Sequence, residues 1–348
     1  MSVPALAGLL SSCKGSHSAD NSAGPGKVAT APPGKKRKLI FIPQAAGDWE
    51  LPMLVGNLEF CKLVGWEYQH IGNPIYSVQN HLEELNNAIS AKPDAIVTQL
   101  ESPGLTSGFR KALDSGIVMI AIDQVLPEEA AKLGLSAIAQ DSLASGRLNG
   151  IQAATWAERI TARKEGVILI GNGNPGSVSI DLRQKGTEEG IAAYNRDHGT
   201  RYTTEAFADS GFDDVVVAMA KYGAHLDEKG ERLVGMVGLG GGSAVAIWKT
   251  LQDRNIPPGK RIAAGSHDIF PDQQTAIDEG YLQWGIDANF LAIGYLSALS
   301  AWMLLERGEP CWNMYSPGEL VLKKDIAGIR ARNQIWMAKA RELNLLRT

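Results

Sequence analysis

The sequence predicts an α/β protein with parallel sheets, and three observations lead to that class. Val118–Ile122 is a run of five apolar residues, typical of a strand covered on both faces, as in a parallel sheet. Such runs alternate with segments whose apolar residues have helical spacing, and this alternation implies right-handed crossovers. The alternation restarts near residue 144. We therefore expect two Rossmann-like lobes with parallel sheets, hinged around a central cleft.

The first half contains five predicted strands between predicted helices. Leu51–Leu63 is predicted to be a helix because its apolar residues recur at helical spacing, and Gly65 ends it. The other helices of this half are Ser77–Ser90 and Gly104–Ser115. The strands are Leu39–Ile42, Trp66–Ile71, Ala95–Thr98, Val118–Ile122 and Ala137–Ile138.

The second half repeats the pattern, and a cleft is expected where the strand ends of the two halves meet. Its predicted strands are Val167–Ile170, Thr203–Ala208, Leu233–Leu239, Arg261–Ala264 and Gln283–Ile286. Its predicted helices are Ala144–Ile160, Ser179–Arg196, Asp213–Tyr222, Ser243–Gln252, Gln273–Glu279 and Ala292–Glu306. Clefts between domains are common sites for small molecules.

Polar groups directly after a buried strand indicate where a ligand binds. Asp123 and Gln124 follow Val118–Ile122 and so lie at the carboxyl edge of the sheet, where open α/β sheets bind ligands. Asp also favours turns, so a role in capping the following turn is the alternative for Asp123. The sequence predicts a pocket built from strand ends rather than from a linear catalytic motif.

The composition limits the classes of function. The chain has 348 residues, 44% hydrophobic and 21% charged, which fits a globular protein of two domains. A net charge of -4 argues against a nucleic-acid binder. The six histidines have no metal-ligand spacing, and neither a Gly-x-Ser-x-Gly elbow nor a Walker loop occurs. We expect no catalytic residues, no metal site and no cofactor.

The first residues have a different composition. Val3–Leu10 is apolar and precedes Leu10-Ser11-Ser12-Cys13, which resembles a bacterial lipobox, after which Cys13 would be lipidated. Lys14–Lys36 is rich in Gly, Ser, Ala, Pro and Lys, as flexible tethers are. No basic residue precedes the apolar stretch, so a disordered tail is the alternative. Residues 1–37 are predicted to be a signal remnant and tether, with the basic run Lys35–Lys38 solvated.

Two further motifs leave alternatives open. Cys61 and Cys311 could pair, but three cysteines make no disulfide framework, and a buried Cys61 is favoured. Gly171–Gly176 spells a dinucleotide fingerprint after a strand. Pro175 interrupts the expected helix start, so a glycine-rich ligand loop is favoured over a nicotinamide-dependent oxidoreductase.

Several marks together resemble the type I periplasmic solute-binding proteins, the ribose-binding-like group that feeds sugar ABC transporters. The resemblance extends from about Lys38 to Lys324 and depends on the order and spacing of the marks, because no single one is specific. The marks are Asp48-Trp49, Ile122-Asp123-Gln124, Gln140-Asp141, Arg183–Gly186, Asp268–Pro271 and Gly280–Leu282.

The resemblance implies a set of ligand-binding residues. Trp49 would cover the apolar face of a sugar ring, and Asp123, Arg183 and Asp268 would make charge-assisted hydrogen bonds to hydroxyls. The remaining positions are Gln99, Gln124, Asn174 and Asp287. Alternatives are a core or surface position for Trp49, a pairing of Arg183 with Asp181 or Glu188, and a helix-capping role for Asp268.

The sequence also departs from the family pattern. Gly240–Ser243 stands where Asn-Asp is usual, and Glu50 replaces a second aromatic residue beside Trp49. Asp287–Asn289 stands where a Gln is usual. The resemblance therefore predicts a ligand pocket but not ribose as its ligand.

The same resemblance implies a domain division and a function. Residues 38–140 plus 289–316 would form the N-terminal lobe, and 141–288 plus 317–348 the C-terminal lobe. The protein would be an extracytoplasmic, lipid-anchored monomer without catalytic activity. It would capture a sugar or polyol and deliver it to an ABC transporter permease. A sensor that presents a sugar-like signal to a receptor is the alternative.

Overall fold

The computed structural model describes residues 36–46, 48–75, 77–212, 214–343 and 345. The predicted lipidation residue Cys13 and nearly all of the predicted tether lie outside these residues. Within them, no helix combines the length and the apolar character needed to cross a membrane.

Strands and helices alternate through both halves of the chain. The first half contains β1 (Lys38–Ile42), α1 (Leu51–Leu63), β2 (Glu67–His70), α2 (Val78–Ser90), β3 (Ala95–Leu100), α3 (Thr106–Asp114), β4 (Val118–Val125), α4 (Pro127–Leu133) and β5 (Ser136–Gln140). After α5 (Ser142–Thr161), the second half contains β6 (Glu165–Asn172), α6 (Val178–His198), β7 (Arg201–Ala208), α7 (Val215–Lys229), β8 (Leu233–Gly238), α8 (Gly241–Asp253), β9 (Ala263–His267), α9 (Pro271–Asp278) and β10 (Trp284–Asp287). The chain ends with α10 (Phe290–Arg307), β11 (Met314–Ser316), β12 (Glu319–Leu322) and α11 (Ile326–Glu342).

The two sheets have the same topology. Among the described residues each has six strands, in the orders β11-β5-β4-β3-β1-β2 and β12-β10-β9-β8-β6-β7. The strands pair in parallel except β12, which is antiparallel to β10. The predicted α/β fold with two lobes and largely parallel sheets is therefore confirmed. The chain passes between the lobes after β5, after β10 and between β11 and β12.

Helices α5 and α10 each pack on the lobe opposite to the strand that precedes them. Helix α5 follows β5 of the first lobe but packs against α6 and the second sheet, and α10 follows β10 but packs against α1 and β4. Both contacts require glycine. A Cβ at Gly146 would overlap the backbone oxygen of Arg183, and a Cβ at Gly294 would overlap that of Met53. The first of these contacts fixes the part of α6 that carries Arg183.

Helix α11 contacts both lobes. Ile326 and Ile329, in its first turn, are buried in a hydrophobic cluster of the second lobe that includes Leu226 and Met236. Ala340, near its end, is buried in a first-lobe cluster, and Trp336 packs against that cluster. The assignment of residues 317–348 to the second lobe stays a prediction, because the end of α11 packs on the first lobe.

The basic run before β1 is not solvated throughout. Arg37 is 3% exposed; its Nε donates to Glu306 at 3.0 Å and its Nη1 donates to Asp94 at 3.1 Å. The prediction of a solvated run is therefore wrong at Arg37, which joins the start of β1 to the end of α10.

The two described cysteines are both free. Cys61 is fully buried in the first-lobe cluster, and burial raises the pKa of its thiol to about 12. A buried, protonated thiol behaves as a small apolar side chain.

Candidate ligand-binding site

The carboxyl ends of the strands supply the polar groups between the lobes. Asp123 lies in β4 and Asp268 directly follows β9, and these are equivalent strands of the two sheets. Both aspartates have left-handed backbone, with φ of 56° and 70°. This conformation is uncommon outside glycine, and it recurs at functional sites, where the surrounding structure holds it in place.

Strand β4 is longer than predicted, and its irregularity lies at Asp123. It continues to Val125, and its pairing with β3 shifts register between Thr98 and Leu100. Such irregularities redirect side chains, often beside functional sites. The shift brings the Asp123 carboxylate against Gln140 at the end of β5.

Four side chains, Asp123, Gln140, Arg183 and Asp268, form what we call the interlobe polar network. Gln140 donates through Nε2 to Asp123 Oδ1 at 2.6 Å and accepts through Oε1 from Arg183 Nη2 at 2.7 Å. Arg183 Nη2 also lies 3.9 Å from Asp268 Oδ1. Because Gln140 belongs to the first lobe and Arg183 to the second, the network connects the two lobes.

Arg183 and Asp268 are each held by the backbone of the second lobe. Arg183 Nη1 donates to the backbone oxygen of Leu239 at 2.8 Å, and the Gly241 amide donates to Asp268 Oδ2 at 3.0 Å. Arg183 is 5% exposed, and its Nε has no hydrogen-bond partner among the described residues. A buried donor without a partner is costly, so a group that accepts from it would be favoured.

The structure distinguishes between the roles considered for these residues. Arg183 does not pair with its helix neighbours, since Asp181 accepts from Asn172 and Glu188 accepts from Gln184. Asp268 binds the first residue of α8, and not α9, which has Phe270 at its N-cap position. The helix after β4 has Leu126 at its N-cap position, so Asp123 does not cap it.

Burial controls the protonation of the two aspartates. It raises the pKa of Asp123 to about 6, against the opposing effects of the Gln140 hydrogen bond and the Arg183 guanidinium. Burial also raises the pKa of Asp268, again opposed by Arg183 and by the Gly241 amide. Two carboxyls on either side of one guanidinium offer acceptors and donors that suit hydroxyl groups.

A second contact between the lobes lies beside the network. Ser179, at the start of α6, donates to Gln124 Oε1 at 2.7 Å. Gln124, Gln140 and Ser179 line a cavity of about 390 Å³, together with Glu101 and Tyr315. Gln99, predicted as a ligand contact, is fully buried and accepts the Gln44 backbone amide at 3.0 Å.

A larger cavity of about 840 Å³ contains the predicted aromatic residue, and we call it the aromatic cavity. Trp49 lines it, half-buried, with its ring edge-on to Phe290 at 6.0 Å. Phe270, from the second lobe, stacks on Phe290 at 6.1 Å between centroids and 3° between planes. Trp336 of α11 lines the same cavity. The aromatic residues thus come from both lobes and from the helix that joins them.

Asp287 faces the aromatic cavity but already has partners. It forms an ion pair with Arg332 of α11, and its Oδ1 accepts the Asn289 amide at 2.9 Å. A ligand at this position would meet the Asp287–Arg332 pair rather than a free carboxylate. Asn174 lies in the turn before α6, where its backbone N–H donates to Asn172 Oδ1 and its backbone carbonyl accepts from the Ser177 N–H. Its ligand role stays a prediction.

The glycines of the dinucleotide-like motif have packing roles. A Cβ at Gly171 would overlap the hydroxyl of Tyr222, and one at Gly173 would meet Phe212 at 2.7 Å. The Gly176 amide donates to the Asp181 carboxylate at 3.1 Å. A carboxylate there would repel a pyrophosphate, so the motif does not form an anion cradle.

In the described part of the chain, no group of three or more His, Cys, Asp and Glu side chains is arranged so that it could hold a metal ion.

Several residues of the site were not predicted as ligand contacts. Gln140 carries the same signal as Asp123, a polar group at a strand end, but the family resemblance assigns it no role. Phe270 lies in the predicted Asp268–Pro271 mark. Arg332 and Trp336 come from α11, a helix that the sequence did not predict within residues 317–348.

Relatives of the chain are binding proteins. The xylose/arabinose-binding protein XylF of Sulfolobus acidocaldarius is 24% identical over 282 residues, which are 77% of this chain and 66% of XylF. The chain therefore spans just under two thirds of that curated relative. Two solved structures match with TM-scores of 0.72 and 18% identity, each over 84% of this chain. One is an ABC transporter solute-binding protein from Burkholderia graminis in complex with D-arabinose, and the match includes 97% of its chain. The other is an ABC transporter periplasmic solute-binding protein from Actinobacillus succinogenes with bound D-allose, and the match includes 100% of its chain.

The family model agrees with these matches. Residues 39–310, which run from β1 to just beyond α10, match the model described as a periplasmic binding protein domain. The matched region includes the whole interlobe polar network and leaves out α11. On this match, the chain belongs to the family of periplasmic binding protein domains.

Proposed function

We propose that this protein captures a sugar or polyol outside the cytoplasm and delivers it to the permease of an ABC transporter. The observation that carries the proposal is the interlobe polar network, in which charged groups from both lobes meet. Asp268 of this network is directly followed by Ile269 and Phe270, which line the aromatic cavity. Hydroxyl-rich ligands need such charged partners, and ring faces need aromatic surfaces such as Trp49. The named sugars of the relatives support the same ligand class.

Ligand binding would act on the balance between open and closed lobes. The moving bodies would be residues 38–140 plus 289–316 and residues 141–288 plus 317–348. A ligand that contacts Asp123 and Arg183 together has more interactions in the closed form, and it shifts the population by that difference in affinity. The protein would act as a monomer, and the closed form would be the one that the permease accepts.

The proposal includes a location. The protein would stand at the periplasmic or extracellular face of the membrane, held by a lipid on Cys13. Expressed in a bacterium with its native start, it should partition into detergent, while the Cys13→Ser variant stays in the aqueous phase. Aqueous partition of both forms would contradict the lipid anchor without affecting the ligand proposal.

A thermal-shift panel of pentoses, hexoses and polyols tests the capture step. A ligand that binds only the folded form, at 100 times its dissociation constant, adds about 2.7 kcal/mol of stability and raises the melting temperature. The Arg183→Lys variant should lose most of the shift, because one ammonium cannot replace the forked guanidinium. Arg201→Lys, on an exposed ion pair with Glu165, is the matched control and should retain it. If every compound leaves the melting temperature unchanged, the sugar proposal is wrong.

A further inference from the structure

The aromatic cavity is larger and more apolar than one sugar ring requires. Its volume of about 840 Å³ lies near the upper end of the roughly 300–1,000 Å³ range of pockets that hold drug-sized ligands. Beyond Trp49, its walls are mostly carbon. The apolar lining includes Leu51, Pro52, Leu54, Ile269, Phe270, Pro271, Phe290, Leu291, Trp336, Met337 and Leu345.

The acidic groups of the cavity have basic side chains beside them. Asp287 pairs with Arg332, and His70 Nε2 lies 3.4 Å from the Glu50 carboxylate. Each acidic group that faces the cavity therefore has a basic neighbour. Asp287 is paired with Arg332 and Glu50 is in contact with His70, so neither carboxylate is directed at a ligand without a basic partner, which favours a neutral occupant.

The outer wall comes from α11. Trp336 and Met337 line the cavity, and both lie beyond residues 39–310, which match the family model. This helix is fixed to both lobes, by Ile329 in the second and Ala340 in the first. The matched domain alone would leave this side of the cavity open, so α11 adds apolar surface to it.

We propose that the aromatic cavity is a subsite for a neutral apolar substituent on the captured sugar, such as an aryl or alkyl aglycone. The inference rests on the proposed sugar capture and specifies its ligand class. The sugar hydroxyls would meet the interlobe polar network, and Trp49 would lie at the junction. The substituent would extend past the stacked Phe270–Phe290 pair toward Trp336.

Matched pairs of glycosides test the inference. Calorimetry would compare methyl and phenyl glycosides of D-xylose, L-arabinose, D-glucose and D-galactose on the full chain. For the sugar that binds, the phenyl glycoside should bind about ten- to a hundredfold more tightly than the methyl glycoside. Burying the apolar surface of a phenyl ring favours binding by a free energy that corresponds to this ratio of affinities. Trp336→Ala should reduce this ratio severalfold, because the phenyl ring loses one apolar wall of the cavity.

Controls separate the possible outcomes. Trp312→Ala removes a tryptophan that is 89% exposed and should leave the ratio unchanged. Phe270→Ala is a second cavity variant, should Trp336→Ala not fold, and its melting temperature reports folding. A methyl glycoside that binds as tightly as its phenyl partner overturns the subsite and leaves sugar capture standing. A ratio unaffected by both cavity variants overturns the assignment to this cavity. No binding by any glycoside overturns the subsite, while the thermal-shift panel decides sugar capture separately.

Discussion

Replacing Gln140 by Ala should weaken the closed form of the protein. The Gln140 amide bridges Asp123 in its own lobe and Arg183 in the other, at 2.6 and 2.7 Å. The Asp123 contact lies within one sheet and is retained when the lobes separate. The Arg183 contact exists only in the closed form, so its loss acts on closure.

The magnitude follows from the charge on Arg183. A hydrogen bond to a charged group contributes about 1.5–3 kcal/mol. The ratio of closed to open molecules should therefore fall roughly 10- to 150-fold in the Gln140→Ala variant. Gln124→Ala removes the neutral contact to Ser179, for which about 0.5–1.5 kcal/mol and a smaller opening are expected.

Small-angle X-ray scattering of the unliganded protein measures the effect as an increase in radius of gyration. Gln79→Ala is the matched control, because the Gln79 amide donates to Glu83 within α2 on the surface of one lobe. The expected order of expansion is Gln140→Ala, then Gln124→Ala, with the control unchanged. If Gln140→Ala is as compact as the control, the bridge does not hold the lobes together.

Three further predictions concern stability and affinity. Because the pKa of Asp123 rises from 3.8 to about 6 on folding, stability present at low pH is lost as the pH rises through about 6. Chemical denaturation should show the wild type gaining about 1.4 kcal/mol between pH 7.5 and 5 relative to Asp123→Asn; equal pH profiles would contradict this. Trp49→Ala should weaken ligand binding by about 1–3 kcal/mol in calorimetry, and unchanged affinity would exclude stacking. Gly146→Ala should cost about 1–3 kcal/mol by pushing α5 from α6, whereas Gly328→Ala, with open space around it, should not destabilise; equal melting temperatures would refute the close packing.

The sequence predicted the strand-end groups because two simple patterns coincide there. An apolar run identifies a buried strand, and the next polar residue must lie at the sheet edge, as Asp123 does. The same logic applies to Gln140, but its strand is short and its apolar run weak. The partners of each group could not be predicted, since they depend on how the lobes meet.

The elements that could not be predicted from the sequence are those whose apolar residues do not recur at a regular spacing. Strands β11 and β12 have only three and four residues, and their apolar residues do not alternate with polar ones. Helix α4 has seven residues. The buried residues of α11 are divided between two lobes, so Ile329 and Ala340 do not form one apolar stripe. The wall that Trp336 adds to the cavity was therefore not foreseen.

The exchange of α5 and α10 between the lobes means that neither half of the chain is a complete folding unit. A fragment ending at Gln140 would lack α10, whose Ile293 and Ala301 are buried in one hydrophobic cluster with Ile122 and Val97 of the first sheet. A fragment starting after Arg163 would lack α5, whose Ala153 and Ala157 cover the second. Each fragment would expose an apolar sheet face and aggregate alone. When mixed, two fragments that divide the chain at Arg163 should reassemble, because each supplies the helix that covers the sheet of the other. For the same reason the intact protein should unfold as one cooperative unit despite its two lobes.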